Sequence, residues 1–151
     1  MFKAGLFTFL MAMVPVVELR GAIPYGVIAG LSVPAAFIIA VIGNLVPIPI
    51  LVVFTRKVFE WLRTKSEWLD SVVRKLEAKA DDKKEVVQKY EFWGLVLLVA
   101  IPLPGTGAWT GALVAAMMDM RLKRAMPAII LGVIIAGVIV TSLTYGAGAL
   151  L

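Results

Sequence analysis

The chain has 151 residues, of which 61% are hydrophobic and 17% charged, with a net charge of +5 and a mean hydropathy of +0.95. A soluble domain carries about 45–50% apolar and about 25% charged residues, so this balance reads as a single integral membrane domain. Cys and His are both absent, which excludes disulfides, thiolate catalysis, Cys/His zinc ligation and histidine proton relays.

The first apolar element, residues 1–31, begins like a signal peptide, with Met1-Phe2-Lys3 ahead of an apolar run. No small-x-small cleavage site follows, so the segment is expected to be retained. From Ala4 to Thr55 the only charged side chains are Glu18 and Arg20, inside Pro15-Val16-Val17-Glu18-Leu19-Arg20-Gly21-Ala22-Ile23-Pro24-Tyr25-Gly26. A charge at bilayer depth costs roughly 2.5–3.5 kcal/mol on insertion scales and rarely persists without a partner or a function. The pair therefore predicts a membrane-embedded site. Pro15, Gly21, Pro24 and Gly26 are expected to break the helix there, because proline removes a donor and glycine opens a turn. Each half is then only about 8–14 residues, too short to cross a core of about 30 Å. Non-helical backbone at that depth survives only inside protein or beside a water-filled cavity. The expected form is a re-entrant hairpin.

Residues 32–55 are uncharged and long enough for a spanning helix, which needs about 20 residues. Asn44 lies mid-span, either as glue between helices or as part of the site. Residues 56–90 follow as a charged linker of helical composition. Phe59, Leu62, Leu69, Val73, Leu76 and Ala80 recur at helical spacing, with Trp61 and Trp68 among them. This predicts an amphipathic helix on the membrane surface.

Residues 91–118 form a second broken segment, interrupted by Pro102, Pro104, Gly105, Gly107 and Gly111 and free of charge between Phe92 and Met118. Residues 126–151 form a second uncharged span. Thirteen of the fifteen basic residues lie between Arg56 and Arg124, on both sides of the second broken segment. If that segment is re-entrant, both basic stretches stay in the cytoplasm, as the positive-inside rule prefers. The linker is then cytoplasmic and both termini lie outside.

The halves read as a repeat. Gly21-Ala22 matches Gly107-Ala108, and Pro34 and Pro127 each open a span. The expected fold is all-α and integral to the membrane, with two inverted repeats. Each repeat is a re-entrant helical hairpin plus one transmembrane helix, and a cytoplasmic amphipathic helix joins them. Inverted repeats of broken helices are a transporter pattern, with the site at the midplane.

Arg20 could fork to a phosphate or carboxylate, and Glu18 is the one acid available there to carry a proton. At i and i+2 the two do not face each other on a helix. They could pair only in a non-helical turn, across to the other hairpin, or with a second subunit. The prolines free carbonyls that could hold a cation and helix N-termini that favour an anion. Thr106, Trp109 and Thr110 could line the second half of the site, the threonines alternatively as helix caps. No nucleotide loop, catalytic triad or metal cluster is seen. The chain reads as a non-enzyme without cofactor, metal or nucleic acid. Four membrane elements barely enclose a cavity, so a homo-oligomer is expected, with Gly132, Gly137, Gly146 and Gly148 letting the last helix pack closely.

The stretches Glu18–Gly26 and Pro102-Leu103-Pro104-Gly105-Thr106-Gly107-Ala108-Trp109-Thr110-Gly111 resemble the two signatures of the bacterial and archaeal small multidrug export proteins, which are more distantly similar to the DedA/VTT-domain membrane proteins. The resemblance implies a multi-pass cell (inner) membrane protein. Its DedA-like side implies two meeting re-entrant hairpins and transport or scrambling of a phospholipid or polyprenyl phosphate, coupled to protons or sodium. DedA proteins carry arginines in the second hairpin; here Arg20 would act alone. The alternatives are a proton-coupled small multidrug exporter, in which Glu18 binds a cationic drug, and a membrane scaffold whose linker recruits a partner.

Overall fold

A computed structural model describes residues 1–75, 78, 92–103, 106–118 and 120–146. The first half contains α1 (Phe2–Met13), α2 (Glu18–Ile28), α3 (Val33–Leu45) and α4 (Ile48–Arg63). Residues 67–75 are helical (α5). The second half contains α6 (Phe92–Ala100), α7 (Ala108–Met117) and α8 (Leu122–Tyr145). Each half begins with two short helices separated by a break; the second half ends in the single long α8, whereas the first ends in α3 and α4.

Local chemistry sets several of these boundaries. Gly30 takes φ +102°, its N–H reaches Val27 O and the Leu31 N–H reaches Gly26 O at 2.9 Å. This left-handed cap ends α2, and only glycine adopts it without strain. Ser32 then caps α3, its hydroxyl accepting from Ala35 N at 3.3 Å, with Pro34 in the first turn where its missing donor costs nothing.

Small residues fill much of the interior beside larger ones such as Leu19, Ile23, Leu95 and Ile129, and many large apolar residues face outward. Ala12, Ala22, Ala36, Ala40, Ala112 and Ala128 are fully buried, whereas Leu6, Leu10, Ile38, Ile42, Ile134 and Val138 are exposed. In water an apolar surface of this extent would be a liability, but against lipid tails it is the ordinary exterior. Val33–Thr55 and Leu122–Tyr145 are each long and apolar enough to cross a membrane. Close packing explains the inner pattern. A Cβ on Gly43 would meet Phe9 O of α1 at 2.5 Å, and one on Gly132 would meet Val99 Cβ of α6 at 2.6 Å. In both halves, then, a glycine of the helix that follows the short pair seats the first short helix. A Cβ on Gly137 would lie 2.6 Å from the Phe37 ring, so that glycine seats α8 on α3.

Several boundaries differ from the sequence expectation. The first break falls at Val14–Val17, and Gly21, Pro24 and Gly26 lie inside α2. Gly26 is there for space, since its Cβ would stand 2.8 Å from Thr8 Oγ1 and 3.0 Å from Ala36 Cβ. α1 and α3 both pack on α2, the helix that carries Pro24. Gly111 likewise lies inside α7, where a Cβ would meet Val99 at 2.5 Å. The span expected at 32–55 is kinked at Val46-Pro47 and continues to Arg63, because Pro47 lacks the N–H that would bond back into α3. Beyond the kink, α4 packs against α7 of the second half. The linker expected at 56–90 therefore begins as the end of α4; its residues 76, 77 and 79–90 lie outside the described residues, as do Pro104, Gly105, Gly148 and the end of the last span. Gly132 and Gly137 are used in packing within the chain.

Candidate functional site

The site is the meeting of two hairpin tips. α1 and α2 fold back on each other across Val14–Val17, and α7 returns along α6, as the contacts of Gly26 with Thr8 and Gly111 with Val99 show. In the first tip, Val16 has φ +77° and Glu18 φ +48°. Such conformations cost about 1–3 kcal/mol each for residues with a Cβ and persist only when surrounding contacts hold them.

What holds this tip is the other one. Glu18 is 3% exposed, and its carboxylate caps the N-terminus of α7. Oε1 accepts from Trp109 N at 3.1 Å and Oε2 from Ala108 N at 3.4 Å. The carboxylate thus satisfies orphan amides at the positive end of the helix dipole. Arg20, part-buried, reaches the loop that precedes α7. Nη1 donates to Leu103 O at 2.5 Å, and Nη2 donates to Thr106 O at 2.6 Å and to Thr106 Oγ1 at 3.2 Å. The loop is knitted by the same hydroxyl, which lies 2.5 Å from Ile101 O and 2.7 Å from Leu103 O and accepts from Leu103 N at 3.2 Å. In the reverse direction, Trp109 Nε1 donates to Met13 O at 3.0 Å, closing the end of α1.

Gly107 is the hinge of this arrangement. Its φ is +112°, and an added Cβ would overlap Glu18 Oε2 and stand 2.7 Å from Arg20 Nη2. Acid and base thus converge on one glycine without needing each other as sole partner. The freed carbonyls and the exposed helix N-terminus expected of a broken helix are both present, and the first hairpin supplies the cation and the anion that occupy them.

The residues expected at the site divide into two groups. Glu18, Arg20, Thr106, Trp109, Gly107 and the turn prolines Pro15 and Pro102 gather at the tips. Asn44 and Thr110 are buried but, among the described bonds, join neither charge. Asn44 Oδ1 and Thr141 Oγ1 are buried without a hydrogen-bond partner. The helix cap expected of Thr106 is replaced by its role inside the loop, because Gly107 takes the N-cap position. Sequence reasoning missed Leu103 and Met13, which act through main-chain carbonyls that no side-chain pattern reveals. Among the described residues, no group of three or more Asp, Glu, His or Cys could hold a metal ion.

A family model described as "Putative small multi-drug export protein" matches residues 18–139. That range begins just after the first tip and takes in the second tip, all of the latch residues except Met13, and most of α8. No curated protein and no solved structure matches the chain.

Proposed function

The chain belongs to the small multi-drug export protein family, and we propose that it is a secondary transporter that exports amphipathic small molecules across the cell membrane of a bacterium or archaeon. The observation that carries this reading is the latch between the hairpin tips. A membrane protein that needed only stability would have little reason to bury a carboxylate and a guanidinium at the break of two short helices, since each charge costs several kcal/mol to desolvate. A transporter needs such a junction, because broken helices meeting at the midplane are where alternating access is built. In this reading the two halves are inverted repeats and the tips are re-entrant. The linker is cytoplasmic and both termini lie outside. A proton on Glu18 would weaken its hold on the α7 amides and let the tips part, which couples opening to the proton gradient. A homo-oligomer would complete the protein wall around the tips.

The test is flux in proteoliposomes. An imposed proton gradient should drive a fluorescent amphipathic substrate out of vesicles containing the native protein and not out of vesicles containing Glu18→Gln. Equal flux in both would overturn the reading. A second reading, transport of a phospholipid or polyprenyl phosphate, is favoured by one feature: an apolar groove of about 490 Å³ between α6 and α8 with the exposed Trp93 and Leu97 among its lining residues. Transbilayer movement of a labelled phospholipid in the same vesicles, without small-molecule flux, would select it.

A further inference from the structure

The break between α3 and α4 holds acceptors that have no donors. α3 ends with the Val46 N–H bonded to Ile42 O at 3.2 Å. Further along the ladder, Gly43 O and Leu45 O would take the N–H groups of residues 47 and 49, and both of those are proline. Proline has no N–H to give. Among the described hydrogen bonds, none reaches either carbonyl. The same two prolines strip donors from the start of α4. Between the freed carbonyls in the chain stands Asn44. It is 1% exposed, and its Oδ1 is buried without a hydrogen-bond partner. An acceptor left unmatched away from water costs free energy, and it persists where something else supplies the missing positive charge. The break also lies beside the latch. Gly43 packs on Phe9 O and Ala12 of α1, and Met13, one turn past Phe9, takes the Trp109 indole N–H.

The chemistry of these oxygens selects the ligand. All of them are neutral acceptors at the negative end of the α3 dipole, so they favour a cation. A divalent ion calls for carboxylates, and among the described residues no acidic cluster could hold one. Carbonyl-type oxygens alone replace the hydration shell of a monovalent ion, as carbonyls freed at broken membrane helices do. We propose that the α3–α4 break binds one monovalent alkali cation, held by Asn44 Oδ1 and the carbonyls that Pro47 and Pro49 leave free. This site goes beyond the export reading and depends neither on the exported molecule nor on a proton at Glu18.

The test is direct binding to the protein in phosphatidylcholine nanodiscs, with choline chloride as the background salt. The probes are radioactive sodium and radioactive rubidium, the latter standing in for potassium. The native protein should bind one of them saturably, displaced by the same unlabelled ion and not by magnesium. Which probe binds gives the size of the site. Asn44→Leu replaces the unmatched acceptor by carbon. It should abolish binding and still unfold no earlier than the native protein in choline chloride. Pro47→Ala returns a donor to Gly43 O and should weaken binding about tenfold, equivalent to about 1.4 kcal/mol. If Asn44→Leu does not fold, the comparison of Pro47→Ala with the native protein decides. Binding of neither ion, binding that Asn44→Leu retains, or equal affinity in Pro47→Ala would overturn the proposal and mark the Asn44 oxygen as one met by water. Failure of proton-driven flux would sink the export reading and leave this site standing.

Discussion

The main-chain N–H of Trp109 donates to the Glu18 carboxylate at 3.1 Å, across 91 residues of chain. The same tryptophan sends its indole N–H back to Met13 O at 3.0 Å. One residue of the second hairpin thus closes both sides of the turn in the first, and a strained turn is held where two broken helices meet.

Removing the cap should loosen the junction. Glu18→Ala leaves the Ala108 and Trp109 amides buried without an acceptor, at a cost of about 1–3 kcal/mol. Glu18→Gln keeps one acceptor and should lose less. Thermal unfolding in detergent should therefore rank native above Gln above Ala. Ala as stable as the native protein would show that the cap contributes nothing.

Arg20→Lys should behave as a disruptive change. A lysine cannot span Leu103 O and Thr106 O with a planar fork. The native chain has no cysteine, so a cysteine introduced at the fully buried Ala108, where the loop enters α7, reports on the tips parting. Its reaction with a membrane-permeant maleimide should speed up several-fold in the Lys background. An unchanged rate would separate Arg20 from loop closure.

Gly107→Ala should be among the most damaging single-methyl additions in the chain. It puts a Cβ at φ +112° and into contact with Glu18 and Arg20, combining backbone strain of about 1–3 kcal/mol with overpacking of similar size. The nearby Ala108→Ser is the control for local tolerance. Expression and unfolding temperature close to native for Gly107→Ala would refute the geometry.

Trp109→Phe removes the indole bond to Met13 O and retains the amide bond to Glu18. A loss of about 1 kcal/mol is expected, smaller than for Glu18→Ala. Measured in one unfolding series, a larger loss for Phe would reverse the assigned importance of the two bonds.

The proposed topology places Ser66 and Lys123 on the same, cytoplasmic face. Single cysteines at these positions should both resist an impermeant maleimide added outside intact cells and react after permeabilisation. Labelling of position 123 from outside would mean that α6 and α7 together cross the membrane, which removes the re-entrant arrangement.

The sequence by itself determined the solvent, two of the broken segments and the pair of charges that matter. Each of these depends on local composition: apolar runs of spanning length, proline and glycine clusters inside two of them, and Glu18 with Arg20 alone among some fifty uncharged residues. Tertiary structure decided which partner each charge takes. Neither depends on the other as its only partner, because the second hairpin carries carbonyls and amides that must be satisfied away from water, and these lie 83 to 91 residues on. Packing also decided which glycines turn the chain and which make room. Gly107 turns it, whereas Gly26 and Gly111 let another helix approach, a distinction that exists only once the neighbour is in place. Pro47 was equally visible as a residue, but its kink acquired a role only when α4 was found leaning on α7.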